Sequence, residues 1–291
     1  MMKANECELP NACNCSDNRV GKEARVHFRA DGSGEPVLLL HGIGRSLHDW
    51  TEQHELLRRD FRVYSVDLPG FGRSDRLSSP FSLAAVADAL WGLLDAEGES
   101  KPLAIMGNSL GGAVALEMAA QRPDRTRALS LVNSAGFGRT VTVALRLLTL
   151  PGTRFLLRPN RTKTYRTERM IFHDRAYVTP QRIDHALALA KNPRTTEVFV
   201  EILRTLGTWR GIRAGWRADL LSRAAAHRIP TLVVWGGRDR VLPVAHLESV
   251  ARSLPHATTH LFHDTGHMPQ IERAAEFHRL ATTFLERYAE P

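Results

Sequence analysis

Short apolar runs alternate along this chain with stretches in which apolar positions recur every three or four residues. Pro36–Leu40, Leu103–Met106, Arg127–Asn133 and Thr231–Trp235 carry the runs. Continuous rather than alternating apolar character predicts parallel strands buried on both faces. Ala24–Phe28, Phe61–Leu68 and Thr259–Phe262 add further strands, and Asp31-Gly32-Ser33-Gly34 has turn chemistry. Helical spacing predicts helices over Trp50–Arg58, Leu83–Glu97, Leu110 to the break at Pro123, Ala245–Ser253 and Gln270–Tyr288. Leu83, Val86, Leu90, Leu93 and Leu94 share one face behind a capping Ser82. This alternation, without any internal repeat, predicts an α/β protein with a doubly wound, mostly parallel sheet and helices on both faces.

The alternation stops at Gly136. Helical stretches follow with no strand between them: Val141–Leu150, Arg166–Phe172, Pro180–Ala190, Thr195–Leu206 and Arg217–His227. Residues 137–228 are therefore expected to be a helical lid inserted into a core of residues 23–136 and 229–291.

Charge follows the same boundary. The chain of 291 residues carries a net charge of +8, and residues 139–228 hold 18 Lys/Arg against 6 Asp/Glu. Such a segment attracts anionic substrates, membrane surfaces or nucleic acid. A solvated, Arg-rich surface of the kind a high-GC coding sequence produces also accounts for it. No zinc-finger, helix-turn-helix or RNA-binding-sheet pattern accompanies it, so the expected partner is a small molecule and not nucleic acid. No run approaches the ~18 apolar residues of a membrane span. Residues 1–22 are polar, rich in Asn and without the apolar core of a secretory signal, and are expected to be a disordered tail. Cys7, Cys13 and Cys15 all lie there. With no His beside them they make a weak metal site, the folded body has no cysteine, and the expected location is cytoplasmic. No cofactor is expected: Gly42-Ile43-Gly44 lacks the third glycine of a dinucleotide fingerprint, and there is no phosphate-binding Gly-Lys-Ser/Thr loop.

The chemistry gathers where predicted strands end, which in a parallel sheet is one edge. The run at Leu103 ends in Gly107-Asn108-Ser109-Leu110-Gly111-Gly112, and a helical pattern starts at once. A strand, a tight turn and a helix hold Ser109 in a strained conformation with its hydroxyl exposed, and demand small residues at 107 and 111. A serine hydroxyl becomes a useful nucleophile when a base takes its proton and a carboxylate orients that base. His267, on the loop after Thr259–Phe262, is the candidate base. Asp239, after Thr231–Trp235, is the candidate orienter. Asp264, three residues from His267, is a rival read as a turn cap, and Asp67 reads as structural. The oxyanion requires two backbone N–H donors, assigned to Leu110 at the helix start and Ile43 in the loop after Leu40. Asn108, Val241 and Met268 flank these loops and are candidate substrate contacts. Phe137, Leu147, Leu148, Phe172, Trp209 and Trp216 read as helix packing.

The set resembles the α/β-hydrolase family over Ala24–Tyr288, on His41-Gly42, Asp67-Leu68-Pro69-Gly70-Phe71-Gly72-Arg73-Ser74, Gly107–Gly112, Asp239 and Gly266-His267. The resemblance implies an eight-stranded, mostly parallel sheet with a lid after the sixth strand. Gly-Asn-Ser-Leu-Gly-Gly and Leu131–Gly136 are similar to the meta-cleavage product hydrolases, which break carbon–carbon bonds in ring-fission dienones. Those enzymes carry a proline in the oxyanion loop, where this chain has His41-Gly42-Ile43-Gly44-Arg45, and a lid arginine for the substrate's acid group. Arg182 lies near the expected place, but a rough alignment puts Ala186 there. Ser109 departs from the aspartate nucleophile of the haloalkane dehalogenases and epoxide hydrolases, and Leu110 from the threonine of perhydrolases. The expected function is a serine hydrolase of small or medium apolar carboxylic esters. The alternatives are a carbon–carbon hydrolase and a hydrolase-fold binding protein. Substrate and oligomeric state are open at this point.

Overall fold

The computed structural model describes residues 15–20, 24–153 and 158–288. Its strands are β1 Cys15–Val20, β2 Ala24–Asp31, β3 Glu35–Leu40, β4 Phe61–Val66, β5 Leu103–Asn108, β6 Thr126–Val132, β7 Gly207–Thr208, β8 Gly211–Ile212, β9 Thr231–Gly236 and β10 Thr258–Phe262. The helices are α1 Thr51–Leu57, α2 Leu83–Ala96, α3 Leu110–Gln121, α4 Val143–Leu147, α5 Arg161–Ile171, α6 Pro180–Lys191, α7 Pro193–Leu206, α8 Ala214–Ala226, α9 His246–Ser253, α10 Pro269–Glu272 and α11 Ala274–Glu286. Eight strands form one sheet in the order β1-β2-β4-β3-β5-β6-β9-β10. Only the β1–β2 and β2–β4 pairs are antiparallel. The family expectation of an eight-stranded, mostly parallel sheet holds.

The two-sided burial read from the apolar runs is visible in β3. Leu38 and Leu40 pack into the core beneath α2 and α3, while Val37 and Leu39 pack into the second core with Trp50, Leu57 and Phe277 from the opposite face. All four strand residues are fully buried. Truncating any of these leucines to alanine would cost about 2–5 kcal/mol.

Three local expectations need correction. Residues 1–14 and 21–23 lie outside the described residues, but 15–20 of the expected disordered tail form β1. It pairs antiparallel with β2 from Cys15 opposite Arg29 to Val20 opposite Ala24, which gives the β2 edge its backbone partners. Asp17 Oδ1 meets His27 Nδ1 at 2.7 Å across that pair. The helix expected over Gln270–Tyr288 is broken between α10 and α11, where Arg273 takes φ −131°. There Gln53 Nε2, from α1, donates to the carbonyls of Gln270 and Ala274 at 2.9 Å each. Between β6 and β9 run α4–α8, as the helical periodicity predicted, but with the small β7–β8 hairpin among them. There the backbone of residues 207–212 pairs with itself.

Candidate active site

β5 delivers Ser109 to the carboxyl edge of the sheet, where the chain turns sharply into α3. Ser109 takes φ 55° and ψ −115°, a conformation that costs a non-glycine residue about 1–3 kcal/mol. Backbone hydrogen bonds hold it there: its N–H donates to Val132 O at 3.0 Å, and its carbonyl accepts from Gly112 and Ala135 at 3.1 and 2.9 Å. The turn leaves no room for side chains on either flank. A Cβ at Gly107 would lie 2.3 Å from Gly111 O, and one at Gly111 2.3 Å from Leu40 O. α3 is buried on every side over its first ten residues, so its N-terminal N–H groups sit in a low-dielectric setting.

His267 and Asp239 meet. His267 Nδ1 lies 2.7 Å from Asp239 Oδ2, and both residues are buried. The Asp239 carboxylate is fully engaged: Oδ1 accepts from the Val241 and Leu242 N–H at 2.7 and 3.0 Å, and Oδ2 also accepts from Asn133 Nδ2 at 2.5 Å. An acceptor-only carboxylate leaves Nδ1 as the protonated nitrogen of a neutral His267 and Nε2 as its lone pair. The loop is pinned from both sides. The His267 N–H donates to Ile171 O at 2.7 Å, and the His267 carbonyl accepts from Asn108 Nδ2 at 3.0 Å.

The rival groups are occupied elsewhere. Asp264 is exposed and sits 3.6 Å from Arg238. Asp67 accepts from the Leu47 and Arg73 N–H, which anchors its loop. His41 is fully buried, accepting from Leu68 N–H at Nε2 and meeting Gly42 O at Nδ1. Burial pushes its pKa down, so it stays a neutral structural histidine.

A cavity of about 530 Å³ opens at this edge, within the range of small-molecule sites. Ile43, Asn108, Ser109, Leu110, Val241, His267 and Met268 all line it, leaving Asp239 behind His267. Among the described residues, neither the Ile43 nor the Leu110 N–H donates to a protein acceptor. Asn108 gives its amide nitrogen to Val132 O and His267 O, so it offers the cavity only Oδ1, which has no partner. Facing these residues are Val141, Leu145, Leu148, Met170, Phe199 and Trp216 of the inserted segment. Leu147, Leu148 and Trp216 thus touch the cavity; Phe137 packs against Trp235 instead and Phe172 against Tyr177.

Three supports escaped the sequence. Asn133, at φ 44°, holds Asp239 through Nδ2 and takes the Gly236 N–H on Oδ1. Its place one residue past an apolar run was the available signal. Glu272 accepts from Gly266 N–H at 2.7 Å and from His173 and Asp174 N–H at 3.0 and 2.8 Å, tying the His267 loop to the inserted segment. Burial raises its pKa against the pull of those donors. Arg45 lines the cavity but is neutralised by Asp49 at 2.8 Å and Glu168 at 2.5 Å. Burial opposes its charge, yet the two carboxylates raise its pKa. Nothing local in the sequence announces the last two. Arg182 pairs with Glu52 and stacks over Phe172, and Ala186 is the residue that faces the cavity.

A family model described as the α/β hydrolase fold matches residues 35–274, and the chain belongs to that family. It is 32% identical over 271 residues to the dihydrolipoyllysine-residue acetyltransferase component of the acetoin cleaving system of Pseudomonas putida, a match covering 92% of this chain and 68% of that relative. It is 29% identical to the 2-hydroxy-6-oxo-6-phenylhexa-2,4-dienoate hydrolase of Comamonas testosteroni, over 90% of this chain and 91% of the relative. The crystal structure of a serine hydrolase from the polyaromatic-hydrocarbon-degrading bacterium Cycloclasticus zankles has the same fold, with a TM-score of 0.80 at 22% identity over 94% of this chain and 98% of that one.

Proposed function

We propose that this chain is a serine hydrolase that cleaves uncharged carboxylic esters of small or medium apolar substrates through an acyl-enzyme, with residues 137–228 as its lid. The observation that supports this reading best is the cavity, lined by Ser109, His267, Ile43 and Leu110, the last two with unused backbone N–H groups, and faced mostly by apolar side chains. His267 Nε2 takes the Ser109 proton as Oγ attacks the ester carbonyl, and Asp239 stabilises the imidazolium that forms. The Ile43 and Leu110 N–H groups hold the oxyanion, aided by the positive end of α3. The C–O bond breaks as His267 returns the proton to the leaving alcohol. A water activated by the same nitrogen then attacks the acyl-enzyme, releasing the acid and restoring Ser109. Val241 and Met268 set the fit beside the acyl group.

Hydrolysis of p-nitrophenyl esters of increasing chain length tests the reading. Ser109→Ala should lower kcat by at least about 10⁴-fold. Turnover that survives the substitution, or a wild-type protein inert to every ester tried, overturns it.

The similarity to the Comamonas testosteroni dienoate hydrolase favours a second reading, carbon–carbon hydrolysis by the same residues. That reaction takes an anionic substrate; Ala186 faces the cavity and Arg45 is already neutralised, while Arg146, Arg158 and Lys163 are the other cations that line it. Decay of the yellow dienolate absorbance on adding enzyme, faster than any ester turnover, would select it over the ester reading.

A further inference from the structure

The inserted segment presents apolar side chains to solvent next to the cavity. Val143 and Leu147 on α4 and Trp209 at the tip of the β7–β8 hairpin are 61%, 47% and 53% exposed. They surround one shallow surface hollow together with Leu150 and Arg146. The hollow adjoins the cavity that holds Ser109, and Arg146 and Leu147 line both.

Arginines ring this patch, and their guanidinium groups turn to backbone rather than to acids. Arg146 Nε donates to Trp209 O at 2.8 Å, Arg139 Nε to Arg210 O at 3.1 Å and Arg204 Nη2 to Leu150 O at 3.1 Å. Arg213 and Arg217 donate to the carbonyls of Arg204 and Arg213. Arg210 stacks over the Trp209 ring, 4.8 Å from its centroid. Among the described residues, none of the six lies within ion-pair distance of a carboxylate, whereas Arg223, on the same helix as Arg217, is held by both Glu117 and Asp219. Six of the positive charges of residues 139–228 therefore gather here without an acid partner.

We infer that this patch docks the protein on an anionic lipid surface, with Val143, Leu147 and Trp209 entering the interface and the arginines meeting the lipid phosphates. Two features select a bilayer. A polyanion such as nucleic acid would meet the arginines but leave Val143 and Leu147 in water, whereas a bilayer takes both the charge and the apolar side chains. A tryptophan backed by a cation suits the boundary between headgroup and acyl chain. The docked orientation would place Arg146 and Leu147, which also line the cavity, at the lipid surface. This inference goes beyond ester hydrolysis and is independent of the bond cleaved.

Co-sedimentation of the whole chain with lipid vesicles tests it. Binding is expected to vesicles of mixed phosphatidylcholine and phosphatidylglycerol, to weaken as salt rises, and to be absent with phosphatidylcholine alone. Each of Arg139→Gln, Arg210→Gln and Arg213→Gln should lower the partition coefficient about fivefold. The Val143→Ser, Trp209→Ser double variant should lose binding while keeping its melting temperature and its turnover of a soluble ester. Brominated acyl chains should quench fluorescence much more in the wild type than in Trp209→Ser, since Trp50, Trp91 and Trp235 are fully buried and Trp216 is half-buried with its Nε1 held by Leu206 O. Absence of binding to either vesicle, equal binding to the neutral one, or undiminished binding of the double variant overturns the inference. So does binding to duplex DNA that matches the anionic vesicles, or a vesicle-indifferent dimer that Trp209→Ser dissociates.

Discussion

Asn133→Ala removes a side chain that performs two tasks at the end of β6. Asn133 Nδ2 donates to Asp239 Oδ2 at 2.5 Å, and Oδ1 accepts from Gly236 N–H at 3.2 Å, with the whole residue buried. A hydrogen bond to a charged group contributes about 1.5–3 kcal/mol, and a buried N–H left unpaired costs about 1–3 kcal/mol. The backbone sits at φ 44°, where alanine pays about 1 kcal/mol that asparagine largely avoids. The expected destabilisation is about 3.5–7 kcal/mol, a large share of the stability of an ordinary domain. Asn133→Gly loses the same two bonds but not the backbone fit, so it should be about 1 kcal/mol more stable than the alanine variant. Because the Val241 and Leu242 N–H groups still hold Asp239, kcat should fall only about tenfold, the equivalent of ~1.4 kcal/mol. Urea unfolding followed by fluorescence measures the first quantity, and initial rates on a soluble ester the second. An alanine variant within about 0.5 kcal/mol of wild type, with unchanged kcat, would refute the view that Asn133 secures Asp239.

Three further outcomes are expected. Gly111→Ala drives a Cβ to 2.3 Å from Leu40 O and 2.7 Å from His41 O; since backbone cannot step aside cheaply, the cost should reach about 3 kcal/mol or more with loss of turnover, and a normally stable, active variant would contradict the packing described. Glu272→Gln replaces an acceptor of three backbone N–H groups by one with a single acceptor oxygen; unfolding should become easier by about 1–3 kcal/mol, with kcat falling more than KM rises, and identical kinetics would remove Glu272 from the positioning of His267. His54 is buried between Ser65 Oγ at 2.6 Å and Asp31 Oδ2 at 3.0 Å, and burial lowers its pKa to about 4. The unfolded chain therefore binds that proton first as pH falls below ~6.5. Up to about 3 kcal/mol of stability present above that pH should be lost on approach to pH 4. His54→Gln should flatten the urea midpoint against pH in that window, with a residual slope from His185, whose pKa is also about 4 because of burial; an unaltered slope would show that His54 is not held neutral.

How far this molecule was readable without its coordinates depends on the range of the interaction. The sheet was legible because β3, β5, β6 and β9 are buried on both faces, and two-sided burial writes itself into consecutive residues such as Val37–Leu40. Ser109 was legible because its geometry is largely local: a Cβ at Gly107 would strike Gly111 within the turn itself, while Gly111 is confined by Leu40 at the end of β3. The placing of His267 and Asp239 was inferred from strand ends, a rule that works because parallel strands bring their carboxyl ends to one edge. The helix break at Arg273 was missed because Gln53, which takes up the carbonyls of Gln270 and Ala274 at the break, lies 217 residues from Gln270.

The amino-acid order alone determined the layered core, the tight turn at Ser109 and the position of a basic helical insertion, all through periodicity and steric demands acting over a few residues. Only the tertiary structure decided which carboxylates act on which partners. Beyond the Asp239–His267 pair, it gave Asn133 to Asp239, Glu272 to the His267 loop and the inserted segment together, and Asp49 with Glu168 to Arg45. It also decided that six arginines of that insertion stand without acids around three solvent-facing apolar side chains. Charge pairing and exposure depend on distance in space, and residues far apart in the chain reach one another only after the sheet has brought its loops to one edge.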